Sequence, residues 1–361
     1  MKYTIFNAIH KELNAKMVAF AGYEMPIQYP NGIIHEHNVI RHKVGVFDVS
    51  HMGEFEIRGK DALAYVQKIT VNDASKLTPG KVQYSAFCLP HGGIVDDLLV
   101  YCMGDWFMLV VNGANIDKDF AWCQKNTEGF EVELNNVTDE VNLLAVQGPK
   151  SLETLQKLTG VNLTEIEYYN FRHGAPAGVE MIISRTGYTG ELGFELYFRG
   201  DFNTAKHVWD EIFKAGAEFG IEPVGLGSRD TLRLEKGYCL YGNDIDETTN
   251  TIEAGLGWIT KPAKGDFNGK EVIVKVKEEG PKRRLVGFIV EAEKFIPRHE
   301  YKIIGNGIEI GHVTSGNISP VLNKPIGMGY VSNEYSTPGS KIEIGARGKT
   351  FPAEVVKMPF V

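Results

Sequence analysis

The chain has 361 residues, with 38 Lys and Arg against 46 Asp and Glu and a formal net charge of −8. That length suits two or three domains, and 43% hydrophobic with 23% charged residues excludes wholesale disorder. The acidic balance weighs against nucleic-acid phosphates as the main partner, no apolar run approaches the ~20 residues of a membrane-spanning helix, and the 40 glycines keep no G-X-Y period.

The first five residues, Met1 to Ile5, lack the marks of a secretory signal or an organelle presequence, so a cytoplasmic location is expected. The four cysteines, Cys88, Cys102, Cys123 and Cys239, have irregular spacings and no C-x-x-C. They are read as reduced, buried thiols.

In chain order, Ile5, Ile9 and Leu13 predict a helix over 4–16. A helix after Asp61 would turn Leu63, Val66 and Ile69 inward, and one over 114–126 would bury Ile116, Phe120 and Cys123. A fourth, over 149–159, opens on Pro149 and stops at Gly160. A fifth, over 203–219, has Asn203 as its cap, with Val208, Ile212 and Phe219 inward. Strands are predicted at 94–102, 106–112, 142–147, 178–184, 194–198 and 285–291, all rich in Val, Ile, Leu and aromatics. Helices and strands mix without strict alternation, which points to an α+β protein with antiparallel sheets. Lys277 to Arg284, charged and broken by Gly280-Pro281, is read as a linker. The turn signals Gly305-Asn306-Gly307, Ser315-Gly316-Asn317 and Pro338-Gly339 then predict an all-β domain over 279–361, after a region 1–278.

Three segments carry possible chemistry. In Gly92-Gly93-Ile94-Val95-Asp96-Asp97 a tight turn feeds a strand, where alternation sends Asp96 and Asp97 to opposite faces. One carboxylate then enters an apolar interior as an acid, a base or a cation stabiliser, or both simply belong to the turn. In Ser184-Arg185-Thr186-Gly187-Tyr188-Thr189-Gly190-Glu191-Leu192-Gly193-Phe194-Glu195, a glycine-rich loop runs into a strand. Glu195 on that strand suits a flat heterocycle with adjacent N–H donors, the alternative being an exposed hairpin carboxylate. In Gly225 to Glu235, Arg229 and Arg233 share one face if the segment is helical. They would hold an anionic ligand tail or form a lattice with Asp230 and Glu235. His35, His37, His51 and His91 show no metal-ligand spacing, and no metal is expected. No nucleophile elbow and no dinucleotide fingerprint is present.

Together these segments resemble the T-protein family of the glycine cleavage system. The resemblance runs end to end, through Lys16 to Pro26, Val46 to Glu54, Tyr241 to Glu247, Thr314-Ser315-Gly316 and the terminal Lys357 to Val361. It implies a three-lobed, clover-like folate-binding α+β fold with a C-terminal β-barrel. It also implies an aminomethyltransferase that takes an aminomethyl group from the lipoyl arm of a partner, the H-protein. The products would be 5,10-methylenetetrahydrofolate, ammonia and dihydrolipoyl H-protein, with tetrahydrofolate as co-substrate. Position by position, the resemblance places the catalytic role on Asp97, the pterin-edge carboxylate on Glu195, a ring-side aromatic on Tyr188 and the tail-binding cation on Arg229. Arg233 is kept as a second cation, and Tyr84, Tyr101, Asn112, Met52 and Trp258 as pocket walls. A monomer is expected for an enzyme that visits its partner. Many relatives run on past the Pro-Phe ending, so any tail contact from that extension is expected to be missing here.

Relatives with other activities set the alternatives. In the sarcosine and dimethylglycine dehydrogenases a flavin domain precedes the folate segment, whereas this sequence opens on the folate-type segment. The iron–sulfur assembly factors carry K-G-C-Y-x-G-Q-E; here the stretch reads Lys236-Gly237-Tyr238-Cys239-Leu240-Tyr241-Gly242-Asn243-Asp244. A folate-dependent demethylase acting on another donor is the remaining alternative.

Overall fold

The computed structural model describes residues 1–292 and 295–361. They form two compact units, each assembled from three stretches of chain: Met1–Val66, Ala74–Tyr84 and Leu98–Asp230 in the first, and Gln67–Asp73, Ser85–Asp97 and Thr231–Val361 in the second. The α+β expectation holds.

A six-stranded sheet organises the first unit. Its order is Phe171–Gly174, Met181–Ser184, Gly193–Phe198, Asn142–Gln147, Gly45–Asp48 and Glu222–Pro223, antiparallel except for the last pair. The helix Phe202–Gly216 brings Ala205, Val208, Trp209 and Ile212 to one side, the i, i+3, i+4, i+7 stripe of an amphipathic helix. That stripe packs on Leu144, Val146, Phe194 and Leu196 of the sheet. Each of these large side chains contributes roughly 2 kcal/mol by leaving water. An aspartate at 208 would instead bury a charge there. The helix is capped by Asp201, which accepts the Thr204 N–H at 2.9 Å, and not by Asn203.

In a second sheet of this unit, Phe107–Val111 lies between Leu98–Cys102, the C-terminal part of the strand Ile94–Cys102, and Gly53–Arg58, which also pairs with Glu133–Asn136. The register sets Leu99, Val110 and Glu54 in one row and Tyr101, Met108 and Glu56 in the next, so all six project from one face.

Three helices differ from expectation, and the one expected over 149–159 forms only over Ser151–Gln156, with Pro149 outside it. The first spans only Asn7–Glu12, because Asn14 turns left-handed at φ 56°. In Ala62–Ile69 the inward residues are Tyr65, Val66 and Ile69, while Leu63 is 42% exposed. Tyr65 takes the inner position because its hydroxyl reaches the Cys123 carbonyl at 2.6 Å.

The second unit carries a closed six-stranded barrel: Arg283–Val290, Lys324–Ser332, Ile308–Ser319, Lys302–Gly305, Lys341–Ala346 and Lys349–Val356. Val286, Phe288, Val290, Ile303, Val313, Val331, Ile342 and Ile344 fill it. Asn306 and Gly307, at φ 51° and 77°, make the two-residue hairpin that the sequence signals. Ser315-Gly316-Asn317 is not a turn but lies inside Ile308–Ser319, and a Cβ on Gly316 would come within 2.4 Å of the Pro297 carbonyl oxygen. The expected linker also differs: Lys277–Glu279 finish the helix Lys270–Glu279, and the strand Arg283–Val290 starts at Arg283. All four cysteines are free and buried. No described helix is long and apolar enough to cross a membrane.

Candidate active site

Glu195 lies on Gly193–Phe198, whose Phe194, Leu196 and Phe198 enter the core. Alternation sends Glu195 and Tyr197 to the other face, where both are nonetheless buried. Glu195 is thus no exposed hairpin residue. Thr186 donates a short hydrogen bond to its carboxylate, and the Tyr197 hydroxyl stands 3.5 Å away. Tyr101 completes the cluster, its hydroxyl 2.9 Å from Tyr197 and 3.0 Å from Ser184, with Ser184 in turn 2.9 Å from Thr186. Burial raises the Glu195 pKa, opposed by Thr186, the Arg229 charge and Tyr197.

The glycine-rich loop is shaped by Gln147. Its amide donates to the Thr186 carbonyl at 3.2 Å and accepts from Thr189 at 2.8 Å. A Cβ on Gly187 or Gly193 would come within 2.2 or 2.3 Å of that side chain, so the glycines clear space for the Gln147 amide. Tyr188 lies beneath the Arg229 guanidinium, 4.7 Å from ring centre to Cζ, and both are half-buried. The first unit therefore brings Glu195, Tyr101, Tyr188 and Arg229 into one electrostatic neighbourhood. Met52, Tyr84 and Asn112 are half-buried in the same unit.

Two buried groups there carried no role in the sequence reading. Glu54 is 1% exposed, and neither carboxyl oxygen has a hydrogen-bond partner among the described residues. Burial, then the Glu195 charge, pushes its pKa well up. Burial also lowers the His51 pKa to about 4, with Asp48 opposing and Arg229 assisting, and its Nδ1 is unpartnered among the described residues. No local sequence signal marks Glu54: Glu54, Glu56 and Arg58 alternate with Phe55 and Ile57, the pattern of a strand with one solvent face, yet Glu54 is buried.

In the second unit, Asp96 is fully buried and Asp97 half-buried at the unit's edge of the strand Ile94–Cys102. Gly92 takes φ 87°, and a Cβ on Gly93 would sit 1.9 Å from the Glu247 carbonyl oxygen, which explains the glycine pair. The strand is pinned there by Ile94 N–H bonds to the Asp246 and Thr249 carbonyls, at 3.0 and 3.1 Å. The Cys239 pKa is raised, first by burial and then by the negative charges of Asp244 and Asp97.

Arg233 is a correction. Its guanidinium meets Asp244 at 2.6 Å, the Tyr238 carbonyl at 3.1 Å and Ser315 at 2.8 Å, and both charged side chains are buried. It is committed to a structural ion pair, not to a ligand tail. The pair also differs from the expected lattice, because Glu235 accepts from Ser319 at 2.5 Å and from the Val321 N–H at 3.1 Å. Trp258 is 64% exposed on the short turn Leu256–Trp258. Of the histidines, His35 faces Glu222 at 2.8 Å. No metal-holding group occurs among the described residues.

The GCVT N-terminal domain family matches residues 6–264, and the glycine cleavage T-protein C-terminal barrel domain family matches 283–361. This chain belongs to the glycine cleavage T-protein family. Relatives of this T-protein family named aminomethyltransferase include one from Halothermothrix orenii, 51% identical with all of both chains covered. Another, from Bacteroides fragilis, is 54% identical, covering all of this chain and 99% of its own. Among solved structures, the glycine cleavage system aminomethyltransferase T from Bartonella henselae matches with a TM-score of 0.92 at 33% identity, covering 100% of this chain and 98% of that one.

Proposed function

We propose that this T-protein is the aminomethyltransferase that moves the methylene carbon from aminomethyl-dihydrolipoyl H-protein to tetrahydrofolate, releasing ammonia. The observation that carries the reading is the buried Glu195 carboxylate, braced by Thr186 and facing the Arg229 charge. A buried carboxylate accepts from the adjacent N–H groups of a pterin ring, and a cation stacked on Tyr188 suits folate's anionic tail. These residues fit folate as the second substrate. Tyr84, Tyr101, Asn112 and Met52 are assigned to the pocket walls.

Asp97 is assigned the chemistry. As the folate amine takes the carbon from sulfur, positive charge develops on nitrogen, and a fixed carboxylate lowers that barrier and relays a proton. Residues 1–278 are read as the catalytic region and 279–361 as the barrel domain. The lipoylated H-protein is the partner, and the enzyme works as a cytoplasmic monomer. The iron–sulfur alternative is disfavoured by Tyr238-Cys239 in place of Cys-Tyr.

The test mixes the protein with tetrahydrofolate and aminomethyl-loaded H-protein and follows ammonia and methylenetetrahydrofolate together. Stoichiometric products, falling ~10²–10³-fold in rate for Asp97→Asn, are expected. Folate binding without product would refute the H-protein donor, and near-normal turnover of Asp97→Asn would refute the catalytic assignment.

A further inference from the structure

Glu54 is a carboxyl with an unusual address. It sits on Gly53–Arg58 with Phe55 turned to the core on the other side, so this strand is covered on both faces. It shares a row with Val110 and Leu99, beside the row of Tyr101, whose hydroxyl joins Tyr197, Ser184 and Thr186 next to Glu195. Both Glu54 oxygens are buried, and neither is hydrogen-bonded among the described residues. Native proteins seldom leave such a group orphaned without a use for it.

The two buried carboxyls are not equivalent. Glu195 has a donor in Thr186, a second in Tyr197 and a nearby cation in Arg229, so it is the one equipped to hold negative charge. Glu54 has no such partner and faces the Glu195 charge, so it keeps its proton. A protonated carboxyl is an O–H donor as well as an acceptor.

We propose that Glu54 is a second, proton-bearing carboxyl of the folate pocket, donating its O–H to an acceptor atom of the pterin ring while Glu195 accepts from the ring's N–H edge. This rests on the folate reading of the Glu195 site. The ring of a pterin carries N–H donors next to carbonyl and imine acceptors, so a charged acceptor paired with a neutral donor matches it better than two carboxylates would. The cost of leaving Glu54 buried in the free enzyme is offset when the ring arrives.

The test is tetrahydrofolate affinity, by calorimetry without oxygen, together with the melting temperature of the ligand-free protein, for wild type, Glu54→Gln, Glu54→Leu and Glu195→Gln. Glu54→Leu is expected to bind about tenfold more weakly, the loss of one hydrogen bond to a buried partner. Its melting temperature should hold or rise, because an orphaned polar group has left the interior. Glu54→Gln, a neutral group of the same shape that still donates, should stay within about threefold of wild type. Wild-type affinity in Glu54→Leu would overturn the proposal. So would a parallel loss of affinity and melting temperature, which marks a structural role, or a Glu54→Gln defect as deep as that of Glu54→Leu. Wild type that does not bind folate would sink the folate reading and the proposal with it. Weakened Glu195→Gln beside an unaffected Glu54→Leu would sink the Glu54 assignment alone.

Discussion

Removing the Arg233 side chain separates a structural cation from a ligand-binding one. In Arg233→Leu the 2.6 Å ion pair to Asp244 is lost, with the bonds to the Tyr238 carbonyl and Ser315. Asp244 stays fully buried, still accepting from the Leu240 N–H at 2.9 Å and from Thr314, but with no cation beside it. Breaking such a pair from one side costs about 3–5 kcal/mol. In a unit of about 150 residues each kcal/mol moves the midpoint by about 2–4 °C, so the variant should melt roughly 6–20 °C lower. Adding Asp244→Asn removes the stranded charge while keeping an acceptor for Leu240, and should recover part of the loss. Scanning calorimetry of wild type, single and double variants, with folate affinity measured on each, decides the matter. An Arg233→Leu protein that melts within ~2 °C of wild type yet binds folate tenfold more weakly would show that the guanidinium serves the ligand, and the structural reading would fall.

Glu195→Gln turns one accepting oxygen into a donor, and should weaken folate binding about tenfold to a hundredfold by calorimetry; unchanged affinity removes it from the pterin site. His51 is neutral in the folded protein, with its pKa lowered to about 4 mainly by burial. The unfolded chain binds the extra proton between about pH 6.5 and 4. Stability is therefore full above that window and falls by about 3 kcal/mol as the pH drops through it. Urea midpoints at pH 7, 5.5 and 4.5 should show a shallower acid slope for His51→Asn, and identical slopes would refute the account. Gly93→Ala drives a Cβ to 1.9 Å from the Glu247 carbonyl oxygen and should cost more than 2 kcal/mol by urea denaturation; a wild-type midpoint would mean that the 245–250 loop yields freely.

The Gly92-Gly93 turn, the Asn306-Gly307 hairpin and the apolar runs 94–102 and 142–147 were legible because their signals are local: positive φ, close approach, or unbroken apolar sequence. Gly45–Asp48 was not, since four buried residues give no period to read. The helix Ile33–His42 was hidden by its polar composition, because its buried Glu36 accepts from the distant backbone N–H groups of Tyr29 at 2.5 Å and Gly225 at 2.8 Å. The same non-locality explains Arg233, whose partner Asp244 lies one loop away and not on its own helix. Glu195 and Arg229 could be singled out from their neighbours in sequence. Glu54 could not, because its meaning comes from the sheet row it occupies.

The second unit takes its parts from both ends of translation. Residues 85–97 leave the ribosome early, while most of that unit begins only at Thr231. At 5–20 residues per second the wait is on the order of ten seconds. For that time Phe87, Cys88, Ile94 and Val95, all buried in the finished molecule, have no final neighbours beyond residue 230. A nascent chain stalled before residue 231 would therefore lack part of the cover over these apolar side chains and present them to chaperones.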